Sequence, residues 1–259
     1  MPNEDSPLVL MAGPGVSTNI LYHALEQEFT VVRVIMEKSV SRRQLVKNRV
    51  KRLGYMKVGG QILFQLLMVP FLTRTGWHRI DQIQRQYHID ASPIPADTII
   101  HVESVNSKAA IDLLQELNPK VVVINGTRII SDNVLSCIPV HFINMHAGIT
   151  PLFRGVHGGY WALYEKDVGN CGVTIHLVDQ GIDTGGILYQ ERIKPSRKDS
   201  FVTYPYLQIA AGIPLIVAAV HDALAGKIQI KGAPVGTSRL YYHPTLCQYM
   251  CARIGWGIK

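Results

Sequence analysis

The chain is poor in cysteine and, along one stretch, in acid. Its four cysteines among 259 residues, Cys137, Cys171, Cys247 and Cys251, form no C-x-x-C pair. A chain of this length needs no disulfide stapling, so reduced thiols in a cytoplasmic protein are the expectation. The first residues, MPNEDSPLVLMAG, are acidic and lack the basic region and long apolar core of a secretory signal. Low-complexity tracts and internal repeats are absent. The apolar run Ile62–Leu72 has one polar residue in eleven. As a helix it would span roughly 16 Å, about half a bilayer core, and so could not cross a membrane. No metal site is expected either. His141 and His146 are offset by five residues, which on a strand sends them to opposite faces.

Hydrophobic residues make up 47% and charged residues 17%, enough for a sizeable core in one large domain or one domain with an appendage. The net charge is +7, and it is local. Arg42, Arg43, Lys47, Arg49, Lys51, Arg52 and Lys57 fall in Ser41–Lys57, which holds no acid; outside them the basic and acidic residues balance. A basic partner surface therefore belongs to one segment.

The pattern of apolar runs predicts strands at Pro7–Gly13, Phe29–Glu37, KVVVING, HFINMH, GVTIHLVD and GILYQERIKP. Between them, helices are expected at Thr18–Glu28, after Ser107 as an N-cap, and at His157–Lys166. A long helix follows from Asp199 to Ala225, with Pro205 and Pro214 as start or kink points. Ser41–Arg85 is helical in character, though Gly54, Gly59, Gly60 and Pro70 interrupt it. Short apolar strands alternating with helices imply an α/β fold with a mostly parallel twisted sheet and flanking helices. Ligands of such sheets sit outside the carboxyl ends of the strands.

HFINMHAGITPLFRG places Asn144 and His146 on one side of a strand, at such an end. LVDQGIDTGGIL then brings Asp179 and Asp183 in a loop with Gly181, Gly185 and Gly186. An amide donor, an imidazole and a carboxylate are what acyl transfer to an amine requires. The first two stabilise an oxyanion, and the third orients the imidazole or takes up the proton lost by the amine.

INMHAGITPLFRG followed by VDQGIDTGGIL resembles the folate-dependent formyltransferases, which include the glycinamide ribonucleotide, methionyl-tRNA and nucleotide-linked amino-sugar enzymes. The resemblance covers roughly Leu8 to Pro195 and implies a Rossmann-like formyltransferase fold. It matches Asn144, His146 and Asp183 to the catalytic Asn, His and Asp. This chain has Ala147-Gly148 where the family has Pro-Ser, so no serine hydroxyl carries over. The co-substrate implied is 10-formyltetrahydrofolate, without a metal. Its pterin is expected between the strand end Ile124–Ile130, through Thr127, Arg128, Ile129 and Ile130, and the loop carrying Val178, Asp179 and Gly181. AGPGVSTNIL matches the turn that cradles the substrate phosphate in the glycinamide ribonucleotide enzymes, which makes Ser17, Thr18 and Asn19 substrate candidates; packing is the other reading of that turn. Arg154, His157 and Tyr160 of RGVHGGYWAL complete the substrate set.

On this resemblance residues 1–195 form a catalytic domain with a helical insertion at 41–85, and residues 196–259 add a helix and tail packed on the same domain. The tail leaves little room for the second domain of methionyl-tRNA formyltransferases. With RGVHGGYWAL, its Arg239, Tyr241, Tyr242, His243 and Tyr249 look more like enzymes of surface-polysaccharide and lipopolysaccharide pathways, which formylate a nucleotide-linked 4-amino-4,6-dideoxy sugar. Packing against the last helix is the alternative use of those residues. Other acceptors, glycinamide ribonucleotide among them, remain open, as does a non-catalytic basic protein that binds a membrane or nucleic acid. The first reading expects no nucleic-acid partner, and a homodimer. A nucleotide-dependent oxidoreductase would want G-x-G-x-x-G and an acid after the second strand; the chain offers Gly13, Gly15 and Glu37 but has Asn19 where a third glycine might stand. For Ile62–Leu72 three uses stay open: core helix, dimer surface, or interfacial anchor with a weak membrane contact. The expectation is burial within protein, on this chain's own core or on a second subunit and not in lipid, because Leu63, Phe64, Leu66, Leu67 and Phe71 surround most of a turn.

Overall fold

The computed structural model describes residues 3–259. In chain order the elements are β1 (Asn3–Ala12), α1 (Val16–Glu26), β2 (Phe29–Glu37), α2 (Arg42–Leu53), α3 (Tyr55–Leu63), a π-helical turn (Phe64–Met68) leading into α4 (Val69–Gln86), and β3 (Ile99–Val102). Next come α5 (Lys108–Leu117), β4 (Val121–Asn125), α6 (Asp132–Leu135), β5 (His141–His146), β6 (Phe153–Gly155) and α7 (Gly158–Tyr164). The chain closes with β7 (Gly172–Leu177), β8 (Ile187–Arg192), α8 (Tyr204–Leu224), β9 (Arg239–Tyr241) and α9 (Leu246–Trp256).

Seven strands form one sheet in the order β3-β2-β1-β4-β5-β7-β8. The first five are mutually parallel, β7 runs antiparallel to β5, and β8 at the edge runs antiparallel to β7. The sheet is thus mostly parallel, as expected. Period-2 alternation sorts its two faces. Leu8, Leu10 and Ala12 of β1 join a core with α1 and α8, while Val9 and Met11 join a second core with α5. Burying each such aliphatic side chain contributes about 1.5–3 kcal/mol. The long helix starts later than expected, at Tyr204 behind Pro205, because Asp199 is taken into a turn with Ser196, whose N–H and hydroxyl it accepts at 2.7 Å each. Ser107 caps α5 by accepting the Ala110 N–H.

A third core holds Phe64, Leu72, Tyr160, Trp161, Phe201, Tyr204 and Tyr249, so the insertion, α7, the start of α8 and the tail share one aromatic cluster. The tail packs chiefly here, through α9 against α3, rather than along the length of α8. This chain's own core takes up only part of the apolar run. Phe64 is fully buried, but Leu63, Leu66, Leu67 and Phe71 are 50%, 66%, 57% and 53% exposed. The π turn explains the register: eight residues of regular helix would leave Phe64 and Leu72 about 80° apart, and the wider turn absorbs most of that offset.

Candidate active site

On β5 the side that begins with Phe142 in the α5-side core continues past the edge of that core as Asn144 and His146. Ile143 and Met145 point into the opposite core. This side of the strand leaves the core and enters a cleft of about 490 Å³. Asn144, His146 and Asp183 all line it, and so do Thr127, Arg128, Ile129, Ile130, Val178, Asp179 and Gly181. Two predicted segments, the end of β4 with its loop and the loop after β7, therefore face one another across the two β5 residues. Tyr241 and Tyr242 from the tail, with Leu240, close a further wall.

His146 is buried, and its Nε2 lies 2.8 Å from the Phe153 carbonyl, which can only accept, so Nε2 carries a proton. Nδ1 lies 3.3 Å from Asp183 Oδ2. Asp183 Oδ2 also accepts the Gly155 N–H at 2.8 Å. Burial pushes the His146 pKa down, against the opposing charge of Asp183. Burial alone would raise Asp183; contact with His176, the charge of His146 and the Gly155 N–H outweigh it, and its pKa is lowered. The resting pair is thus a neutral imidazole facing a carboxylate, with room for one proton between them. Gly148 makes this possible: a Cβ there would stand 2.4 Å from the Phe153 oxygen and 2.7 Å from His146 Nε2. The Ala147-Gly148 departure thus has a local reason, since the imidazole and the Phe153 carbonyl fill the space of a side chain.

His176 is a site residue that the sequence reading missed. It pairs with Asn144 across the antiparallel β5–β7 ladder, as Thr174 pairs with His146. Its Nδ1 donates to the Leu177 carbonyl at 2.7 Å, so in the neutral ring Nε2 is free to accept from Asn144 Nδ2 at 3.1 Å. Nε2 is also 3.7 Å from Asp183 Oδ1. Thr174 accepts the Thr150 N–H and donates to the Gly148 carbonyl, fixing the turn after His146. The signal was two polar residues, Thr174 and His176, on one side of an otherwise apolar strand. The loop after β7 must fold back, because β7 runs against β5; Asp183, at φ 52, sits in its left-handed bend. Arg154 pins the loop by donating to the Ile182 carbonyl at 3.1 Å.

The remaining candidates scatter. Thr18 is buried, donating to the Gly13 carbonyl at 2.6 Å and accepting from Asn125 Nδ2 at 2.9 Å, so its hydroxyl is structural and the substrate expectation is corrected. Ser17 accepts from the same amide, and Asn19 reaches toward the Ala91 carbonyl; neither lines the cleft. Tyr160 is also corrected: it is 1% exposed within the aromatic core. His157 bonds His243 at 2.9 Å and packs on Phe201. Burial, joined by the charges of His243 and Arg49, drops His157 to about 3, while burial and Arg49 drop His243 to about 4. This neutral pair ties α7 to the tail. Arg128 lines the cleft, yet its guanidinium turns to Glu37, 2.8 Å away, and to the Lys38 and Glu103 carbonyls. Glu37 also accepts the Arg128 and Val105 N–H groups. The acid that an oxidoreductase would offer to a ribose is therefore buried and engaged.

A second cavity of about 430 Å³ shares Leu240, Tyr241 and Tyr242 with the cleft and adds Lys57, Trp161, Tyr164, Glu165, Arg239, His243 and Gln248. Strand β9, paired in parallel with β6, separates the two.

Among solved structures the chain is similar to a sugar N-formyltransferase from Shewanella, with a TM-score of 0.57 and 13% identity over 91% of this chain and 76% of that one. It is similar also to a phosphoribosylglycinamide formyltransferase from Streptococcus pneumoniae, with a TM-score of 0.52 and 22% identity over 85% and 99% of the two chains. At these identities the likeness concerns the fold. In sequence it is 28% identical over 168 residues to a methionyl-tRNA formyltransferase from Kosmotoga olearia, covering 64% of this chain and 50% of that protein. The chain thus spans about half the length of the curated relatives it matches. Residues 81–205 match the family described as formyl transferase, a stretch that holds Asn144, His146, His176 and Asp183. Fold, cleft and match point the same way: residues 81–205 are similar to the formyl transferase family, a little under half of the chain.

Proposed function

We propose that the protein transfers a formyl group from 10-formyltetrahydrofolate to the primary amine of a nucleotide-linked amino sugar, a 4-amino-4,6-dideoxy sugar of surface-polysaccharide synthesis. The observation that carries the reading is the convergence of Asn144, His146 and Asp183 on one cleft, with the imidazole 3.3 Å from the carboxylate.

The cleft fits the folate. Its size lies in the range of small-molecule sites, and its walls are apolar, with a few polar groups converging at one end. Ile129, 51% exposed, stands at its edge without a core to join. Ile124, Ile129, Ile130 and Val178 would hold the flat ring, and the backbone of Gly126–Ile130 and Val178–Gly181 would read its polar edge. When bound, the folate would supply the formyl carbon, and its nitrogen would leave with the proton that His146 has taken from the amine and passed on.

The protein's part is electrostatic and acid–base. Asn144, held through Nδ2 by His176, offers its other amide hydrogen to a developing oxyanion. His146 receives the amine proton at Nδ1, where Asp183 stabilises the imidazolium. Phe153 and Gly155 of β6 fix the two partners by one backbone group each.

The second cavity supports the nucleotide-sugar acceptor. Lys57, and Arg239 once released from its 3.2 Å pair with Glu165, suit a diphosphate, and Trp161, Tyr164 and Tyr242 offer faces for a base or sugar. It adjoins the cleft that holds the proposed catalytic groups. The test is mass spectrometry on a panel of nucleotide-linked amino sugars, glycinamide ribonucleotide and methionyl-tRNA after incubation with 10-formyltetrahydrofolate. Gain of one formyl group on a nucleotide 4-amino sugar alone is expected. Preferential formylation of either other acceptor would overturn the substrate class.

A further inference from the structure

The outward face of the insertion is apolar where a soluble surface helix should be polar. From Tyr55 to Gln86 the helix is continuous, and it is bound to the protein along one side. Val58, Gln61, Phe64, Leu72 and Ile83 are buried there, Gln61 donating to the His243 carbonyl at 2.8 Å. The opposite side presents Met56, Leu63, Leu66, Leu67 and Phe71, each at least half exposed, over about 22 Å of helix. Beyond Phe71 the exposed Arg74 ends the apolar stretch, between Thr73 and Thr75, whose hydroxyls turn back onto the Val69 and Phe71 carbonyls at 2.9 and 3.0 Å.

Helix α2, immediately before this face, has no buried residue and no acid. Arg42, Arg43, Lys47 and Lys51 line a shallow hollow of about 820 Å³ that ends at Tyr55, where the apolar face begins. Cations at the rim of an exposed apolar stripe complement an anionic surface with an apolar interior. We propose that α2 and the outward face of the Tyr55–Gln86 helix seat this protein on an anionic lipid surface, the apolar side chains entering the acyl boundary and the cations meeting the phosphates. The helix lies in the interface and does not cross it, because its other side is held by the aromatic core and by the Arg79–Asp199 pair. A second copy of the chain fits the face less well. It would bring a second set of the same cations to the interface, with no acid on either α2 to meet them.

The test uses the full chain and co-sedimentation with phosphatidylcholine vesicles, with and without a third of phosphatidylglycerol. Binding to the anionic vesicles is expected, with at least a tenfold loss on Leu66→Asp/Leu67→Asp and on Arg42→Glu/Arg43→Glu/Lys47→Glu, and with formyl transfer in solution and circular dichroism unchanged in both variants. A blue shift of Trp77 emission on vesicle binding, absent in Trp77→Phe, would place the face in the lipid. Absent vesicle binding overturns the proposal, as does binding that survives Leu66→Asp/Leu67→Asp. So does a dimer in sedimentation velocity that these substitutions dissociate while vesicles leave it unbound.

Discussion

His146 has one nitrogen committed to a carbonyl and the other aimed at a carboxylate, and this sets how the site responds to pH. The proposed reaction needs Asp183 ionised and His146 neutral. Both pKa values are displaced downward, so the competent form persists to lower pH than unperturbed groups would allow. In a kcat profile, which reports the bound complex, the acid limb should fall below the ordinary histidine value of about 6.5. An acid limb at or above that value would contradict the assignment. His176 acts through Asn144. His176→Ala should lower kcat by roughly tenfold to a hundredfold with little change in KM, because the amide loses its fixed aim. His176→Asn, which keeps an acceptor, should recover part of the loss; equal losses in KM and kcat would assign His176 to binding instead.

At the scale of elements, α4 is anchored to the turn before α8 by Arg79 and Asp199, with Nε–Oδ1 at 2.7 Å and the carboxylate 1% exposed. Arg79→Ala leaves that carboxylate without its cation and should cost about 3 kcal/mol, read as a lower urea midpoint. Burial works to raise the Asp199 pKa, but Arg79 and Ser196 outweigh it and the value is lowered. The stability from this pair is therefore present above the unfolded aspartate value of about 3.9 and fades as pH falls through the lower folded value. An Arg79→Ala variant that loses no stability at neutral pH would refute this anchoring. The elements themselves were legible where periodicity was strong: β1, β2, β4, β5 and the Ser107-capped helix follow from apolar alternation and one hydroxyl. Legibility stopped where partners are distant in sequence. Thr18 and Tyr160 are polar types whose burial depends on Asn125 and on the tail, and no local pattern reports that. His176 was hidden because strand direction is not written in a strand; only the antiparallel edge brings it opposite Asn144. The Leu63–Phe71 run showed its composition but not which side would face protein, since the π turn sets that.

For the molecule as a whole, one strand outside the main sheet links the cleft to the second cavity. Strand β6 supplies the Phe153 carbonyl and the Gly155 N–H to the proposed catalytic pair, and it seats β9, whose Leu240 and Tyr241 lie between the cleft and the second cavity. The proposed folate side, acid–base groups and acceptor side would thus follow one another across the carboxyl ends of the parallel strands, where ligands of such sheets are held. Tyr241, stacked on Trp161 at 5.0 Å, is the partition. Tyr241→Ala should merge the two cavities and raise KM for the amine acceptor more than kcat falls; an unchanged acceptor KM would remove the second cavity from the account. The most direct measurement of the central claim is the rate of tetrahydrofolate release with the preferred amine acceptor in the wild type, Asn144→Ala, His146→Ala and Asp183→Asn, alongside equilibrium binding of tetrahydrofolate. The account predicts kcat losses of about 10²- to 10³-fold in each variant with folate affinity nearly unchanged. Near-normal turnover in all three would contradict it.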